Sequence, residues 1–237
     1  IVMWLLPQLV FAALGLGAAP ETSAEESIAA DDPSLPSASL ILADSVGKLG
    51  AAVVLLLMGA TRYRGSLRAW GLEVTSCFRR LGQAVVAYIA IWPICFGLLH
   101  LTVYLMRLAD PEFAPPEHQT IRTLLSGEHA GPLVIVIAVN AVILAPFVEE
   151  LFFRGMLQPV LAAASRGPWT AVLLSAGAFG LFHYPLVHTM PLTCALAAFG
   201  LLLGYLDARS GSLTLVVLVH AIFNGKTLLW LALSAAE

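Results

Sequence analysis

With 237 residues, 59% hydrophobic and only 11% charged, and a mean hydropathy of +0.88, the chain is too apolar for a water-soluble domain. Its net charge of -3 is small and its basic residues are scattered in short connectors, which argues against nucleic acid as a partner. Apolar runs of bilayer length, without ten-residue alternation, argue against an outer-membrane barrel. They predict an all-α fold, a polytopic membrane helix bundle of about seven transmembrane helices, multi-pass in the cell (inner) membrane with the lipid bilayer as its first partner.

In chain order, residues 1–19 form an apolar run read as a first helix entered partway. A signal peptide is the competing reading, although no basic stretch precedes the run. Residues 20–38, with Glu21, Glu25, Glu26, Asp31 and Asp32 and no Lys or Arg, read as a solvated loop. A span over Leu40 to Ala60 leads into a connector holding Arg62, Arg64, Arg68, Arg79 and Arg80, placed in the cytoplasm by the positive-inside rule. Within it Trp70, Leu72 and Val74, beside Arg68 and Glu73, fit either an amphipathic turn at the headgroups or an ordinary interfacial loop. The next span is Leu81 to Met106, with Pro93 and Gly97 as kink positions and His100 as a packing histidine. The acidic stretch Asp110 to Glu128 then belongs on the extracytoplasmic side.

Pro132 to Ala164 is apolar over about 50 Å at helical rise, more than a bilayer core needs, so it must tilt, bend or project. Loops at Arg166–Pro168, Tyr184–Pro191 and Asp207–Ser212 set off three further spans. Residues 1–130 thus read as N-terminal transmembrane helices with acidic extracytoplasmic loops, and 131–237 as the part that carries the polar motifs. Cys77, Cys95 and Cys194 are far apart in apolar surroundings and are read as packing. No internal repeat is evident.

The chemistry concentrates in that C-terminal part. A carboxylate at mid-bilayer costs at least about 2.5–3.5 kcal/mol, so the adjacent Glu149 and Glu150 need a specific reason to be there. Glu150 and Arg154, four apart, share a helix face and can pair, whereas Glu149 points about 100° away and is free to take a proton or coordinate a metal. His183 follows Phe179 by four on the next span, and Asn224 follows His220 by four on the last. A carboxylate, two imidazoles and an amide on successive helices can converge in a bundle core. Such a group can activate water, with Glu149 as general base and His or Asn donors on the oxyanion. Alternatively Glu149, His183 and His220 can hold Zn2+, which lowers the pKa of bound water. Lys226, just past Asn224, has no assigned role beyond snorkelling or internal pairing.

Three motifs, Glu149-Glu150-Leu-Phe-Phe-Arg154, Phe179-Gly-Leu-Phe-His183 and His220-Ala-Ile-Phe-Asn224, resemble those of the CPBP (Abi, or CAAX prenyl protease type 2) intramembrane proteases. The resemblance covers about residues 132–230. It implies a membrane-embedded endopeptidase acting on a peptide or membrane-protein substrate. In it Glu149 is the general base, Glu150 and Arg154 support and orient it, and His183, His220 and Asn224 bind the water, the oxyanion or a metal. The family is described both as glutamate-dependent and as metalloproteases, so the Zn2+ reading stays open, as does oligomeric state. The eukaryotic branch acts on prenylated CAAX proteins; that substrate is not carried over, since bacterial relatives are linked with peptide processing and self-immunity. Two other readings compete: a non-enzymatic membrane immunity or scaffold protein of the same fold, and an ion-coupled transporter.

Overall fold

The computed structural model describes residues 37–62, 67–73, 77–113, 131–165, 167–187 and 190–234. The first apolar run, the loop that follows it and most of the acidic stretch after Asp110 lie outside the described residues, as do Arg64, Val74 and Arg166. All regular structure among the described residues is helical: α1 (Ala38–Arg62), α2 (Cys77–Ala109), α3 (the segment Gly131–Ala164), α4 (Pro168–Val187), α5 (Met190–Ser210) and α6 (Leu213–Ser234). The all-α membrane bundle read from composition is the architecture found. By length and hydropathy four of these helices, α1, α2 from Phe78, α3 and α5, qualify as membrane spans, so a count of seven is not reached among the described residues. Helix α4 runs through Tyr184 to Val187, and α5 through Asp207 to Ser210, so the two loops expected there are shorter than read. Helix α2 is continuous through Pro93.

The radial pattern of the bundle is inverted relative to a soluble protein. Val46, Leu57, Val86, Ile89, Leu173 and Leu181 are exposed, whereas Asn140, Glu150, Arg154, Gln158, His183 and His220 are buried. In a lipid solvent the apolar faces cost nothing outside, and polar groups survive only where other protein groups satisfy them.

Small residues draw the helices close. A Cβ added at Gly180 on α4 would stand 2.7 Å from the Ala197 Cβ and 2.9 Å from the Thr193 carbonyl oxygen of α5. Contact at that range is open only to glycine, the usual device for close packing in membranes. Gly180→Val is therefore expected to force α4 off α5 and cost about 1–3 kcal/mol of stability, read by denaturation in detergent followed by tryptophan fluorescence.

Helix α3 is interrupted twice by π-turns, Asn140–Leu144 and Phe153–Leu157, each followed after one residue by a proline, Pro146 and Pro159. The reason is the missing proline N–H. In the first turn the Ala145 N–H reaches back to the Asn140 carbonyl. Ala141 then faces Ala145, already committed, and Pro146, which has no donor, so its carbonyl is left for a partner from outside the helix. In the second, Gly155 faces Pro159 at the position that would donate in an ordinary α-turn. Both carbonyls are satisfied by side chains: the Asn224 amide donates to Ala141 O at 2.8 Å and the Trp70 indole donates to Gly155 O at 3.0 Å. The π-turns thus convert proline defects into docking points for other helices, and π-turns recur at functional sites.

Trp70 is buried among α1 and α3. Added Cβ atoms at either Gly59 or Gly155 would collide with its ring. The α1–α2 connector is also tied to the start of α6, where the Thr214 N–H donates to Gly71 O at 3.1 Å and the Thr214 hydroxyl accepts from the Glu73 N–H at 2.8 Å. Leaving Trp70 in the headgroups would expose a large apolar ring and orphan the Gly155 carbonyl, so insertion wins. Gly71 holds a φ of +80°, which a β-carbon would strain, and this lets the connector turn back onto α6.

Candidate active site

Glu149 and Glu150 leave α3 between its two π-turns, and their side chains part as helical geometry requires. Glu150 turns inward to Arg154, one turn on, with Oε1 3.0 Å and Oε2 2.9 Å from Arg154 Nη1 and neither side chain exposed. A charge pair this deep is tolerable only if its other polar atoms find partners. Arg154 Nη2 donates to the Gly200 carbonyl at 2.8 Å, and its guanidinium carbon stands 4.8 Å from the Phe179 ring centre. One turn further, Gln158 donates to the Gly204 carbonyl at 3.2 Å. Arg154 and Gln158 are four apart on α3, and Gly200 and Gly204 four apart on α5, so two parallel helices meet in one register. An added Cβ at Gly204 would reach the Gln158 side-chain oxygen at 2.7 Å, so glycine keeps the α5 backbone open to these donors.

The same carboxylate of Glu150 holds the next layer. His220 Nδ1 lies 2.7 Å from Glu150 Oε1. A carboxylate ion-paired to arginine only accepts, so Nδ1 carries a proton, and His220 Nε2 is a lone pair when the ring is neutral and a donor when it is charged. His183 Nδ1 lies 2.8 Å from the Phe179 carbonyl oxygen, also only an acceptor, so the same holds for His183 Nε2. Both Nε2 atoms face one oxygen: Glu149 Oε2 is 3.5 Å from His183 and 3.8 Å from His220. That oxygen is buried and has no hydrogen-bond partner. With neutral rings three acceptors face one another, an arrangement that calls for a proton, a water or a cation between them.

Exposure is graded across the cluster. The Glu149 and His183 side chains are 16% and 11% exposed, that of His220 5%, and those of Glu150 and Arg154 0%. Phe179 and Phe199 pack against both sides of His220, with ring centres at 5.8 and 5.2 Å, so the imidazole has little freedom to rotate.

The structure thus brings Glu149, Glu150, Arg154, His183 and His220 together. Asn224 is on the same face of α6 as His220, but its amide nitrogen is engaged with the Ala141 carbonyl. For the zinc expectation, both histidines meet Glu149 pairwise, yet no group of three or more His, Cys, Asp or Glu side chains among the described residues is placed to hold a metal ion. Lys226 pairs internally, its ammonium 5.5 Å from the Trp92 ring centre. His100 is hydrogen-bonded to the Phe96 carbonyl of its own helix and lies on the exposed side. Cys95 and Cys194 are free thiols, Cys95 buried.

Sequence reasoning passed over Gln158, Asn140, Asp44 and Lys48. Each has a signal in hindsight: Gln158 lies one turn beyond Arg154, Asn140 is an uncharged polar residue in an apolar run, and Asp44 and Lys48 are a charged i, i+4 pair inside a span.

Taken together, these features define a class: a multi-pass helical membrane protein with a buried carboxylate and imidazole cluster at its core. Residues 131–225 match the family model described as type II CAAX prenyl endopeptidase Rce1-like. Over that segment the chain is similar to the CAAX-type (CPBP) intramembrane proteases. No curated protein and no solved structure matches the chain.

Proposed function

We propose that the protein is an intramembrane endopeptidase of the cell (inner) membrane in which Glu149 is the general base. The observation that carries this reading is the buried Glu149 Oε2, without a hydrogen-bond partner, facing two imidazole Nε2 atoms whose opposite nitrogens are fixed. A water held at Glu149 gives up its proton to that carboxylate as its oxygen attacks the carbonyl carbon of a peptide bond. The proton then passes to the leaving amine. A His183 or His220 ring that has taken up a proton from solvent on Nε2 before the attack hydrogen-bonds the developing oxyanion and keeps that proton through the cycle. Glu150 and Arg154 do not touch substrate in this scheme. Glu150 orients His220 by accepting its Nδ1 proton, and Arg154 holds Glu150 in place from the opposite side. Asn224 supports the reaction by closing the π-turn that leads into Glu149.

The substrate class is a peptide segment that can enter the bundle, either membrane-inserted or extended from a membrane-bound protein. The test is incubation of purified, reconstituted protein with a library of apolar peptides, products being read by mass spectrometry. New N-termini dependent on Glu149 are expected. Protein that is folded and binds peptide yet never cleaves would favour the immunity or scaffold reading.

The zinc alternative separates by a second arm. Because the base in this reading is a side chain of the protein itself, cleavage is expected to persist within about twofold after exhaustive chelation and dialysis, a change too small for loss of a proton-transfer catalyst. Loss of cleavage on chelation, restored by zinc in wild type but not in His183→Ala/His220→Ala, would replace it with a metal site on Glu149, His183 and His220.

A further inference from the structure

A second polar cluster lies where α1, which is outside the segment matched by the family model, crosses the first π-turn, which is inside it. Asp44 and Lys48 of α1 form an ion pair one turn apart. The Asn140 amide, on the first residue of the π-turn, donates to Asp44 Oδ2 at 2.8 Å and to Ser45 Oγ at 3.1 Å. Asn140 is buried. Its own carbonyl accepts the Ala145 N–H that closes the turn, and the adjoining Ala141 carbonyl accepts from Asn224 of α6. The turn is therefore clamped from both flanks, by α1 through Asn140 and by α6 through Ala141. Glu149 follows the end of this turn by five residues on the same continuous helix.

We infer that Asp44 is a positioning residue for Glu149, acting through Asn140 and the π-turn, so that the N-terminal helix α1 is part of the catalytic apparatus. The physical reason is the looseness of a π-turn. It admits one more residue than an α-turn, and relaxation to α-helical geometry would rotate everything C-terminal to it by roughly 100° relative to everything before it. Pinning both sides of the turn selects one phase, and hence the direction in which Glu149 faces. The missing Pro146 N–H orphans a carbonyl in either register, Ala141 in the π-turn and Val142 in an α-turn, and the Asn224 amide meets the one the π-turn leaves. The role belongs to the hydrogen bond and not to the charge, since the groups that touch the turn are an acceptor on Asp44 and a donor on Asn140.

This inference rests on the endopeptidase reading for its activity arm but not for its structural arm. The experiment compares reconstituted wild type, Asp44→Ala, Asn140→Leu, the double variant Asp44→Ala/Asn140→Leu, and Asp44→Asn/Lys48→Gln, which removes both charges while keeping an acceptor for Asn140. Hydrogen exchange is read over the peptides covering residues 140–152, and peptide cleavage is read as kcat and KM. Both single substitutions are expected to speed exchange in that segment at least tenfold and to lower kcat by about 10- to 100-fold with KM changed less than threefold. The double variant is expected to be no worse than the poorer single one, as for two residues acting through one contact. The neutral pair is expected to keep kcat and exchange within about threefold of wild type. Additive losses, or a neutral pair as impaired as Asp44→Ala, would overturn the clamp. Exchange unchanged in both single variants would overturn it as well, whether or not the wild type cleaves any peptide. Faster exchange with no wild-type cleavage would keep the clamp and remove the endopeptidase reading instead.

Discussion

Glu149→Gln is expected to abolish peptide cleavage, by about 10³-fold or more, while leaving the bundle folded. Glutamine keeps the size of the side chain, and its amide adds a donor that a neutral imidazole Nε2 can accept. What it loses is the ability to accept a proton. Folding should be indifferent to the change, because Glu149 Oε2 makes no hydrogen bond that stabilises the native state. Its side chain is also the most exposed of the cluster. The measurement is paired: cleavage of the best library peptide, and thermal unfolding of the same preparation in detergent, expected to move by less than about 2 °C. Retained cleavage would remove Glu149 from the chemistry. Lost cleavage with lost folding would make it a structural carboxylate.

Arg154→Met is expected to act in the opposite order, on the fold first. It leaves the Glu150 carboxylate fully buried with only His220 as a partner, and an uncompensated buried charge costs about 3–5 kcal/mol. For a membrane bundle that is a large share of its stability, so low yield and early unfolding in denaturant titrations are expected. The double variant Glu150→Leu/Arg154→Met tests the cause. Replacing both charges with apolar side chains of similar size removes the desolvation penalty, so stability should return to near wild type. Cleavage should not return, because His220 has lost the carboxylate that holds its Nδ1 proton and its lone pair no longer faces Glu149. Recovery of both stability and cleavage would show that Glu150 serves the fold alone. Recovery of neither would show that the ion pair contributes packing that Leu and Met do not reproduce.

Some of this was readable from residue types and intervals. A mean hydropathy of +0.88 sets the solvent, and in that solvent helices are the only open-chain solution, so the fold class follows. The i, i+4 interval sets Glu150 against Arg154, and the 100° step sets Glu149 apart from them, because both are properties of a single helix. The motif residues Glu149, His183 and His220 could be nominated as a group for the same reason: an ionisable group in an apolar run must have a partner, and the runs hold few others.

Nothing in one helix's periodicity, however, says which groups of another helix it meets. That Glu150 is shared between Arg154 and His220, 70 positions away, depends on how α6 docks on α3. That Asn224 serves the Ala141 carbonyl, while the imidazoles face Glu149, depends on a π-turn whose cause, Pro146, is visible in the sequence but whose phase is set by contacts from both sides. Trp70 likewise reads as an interfacial tryptophan until Gly59 and Gly155 are seen to leave it room, and the Gly155 carbonyl to need its donor. The amino-acid sequence by itself determined the solvent, the helical class and the identity of the polar residues, since these follow from transfer free energy and local geometry. Only the tertiary structure decided which polar atoms are satisfied and which, Glu149 Oε2 among them, are left without a hydrogen-bond partner, since hydrogen-bond satisfaction in a membrane core is a property of helices packed against one another.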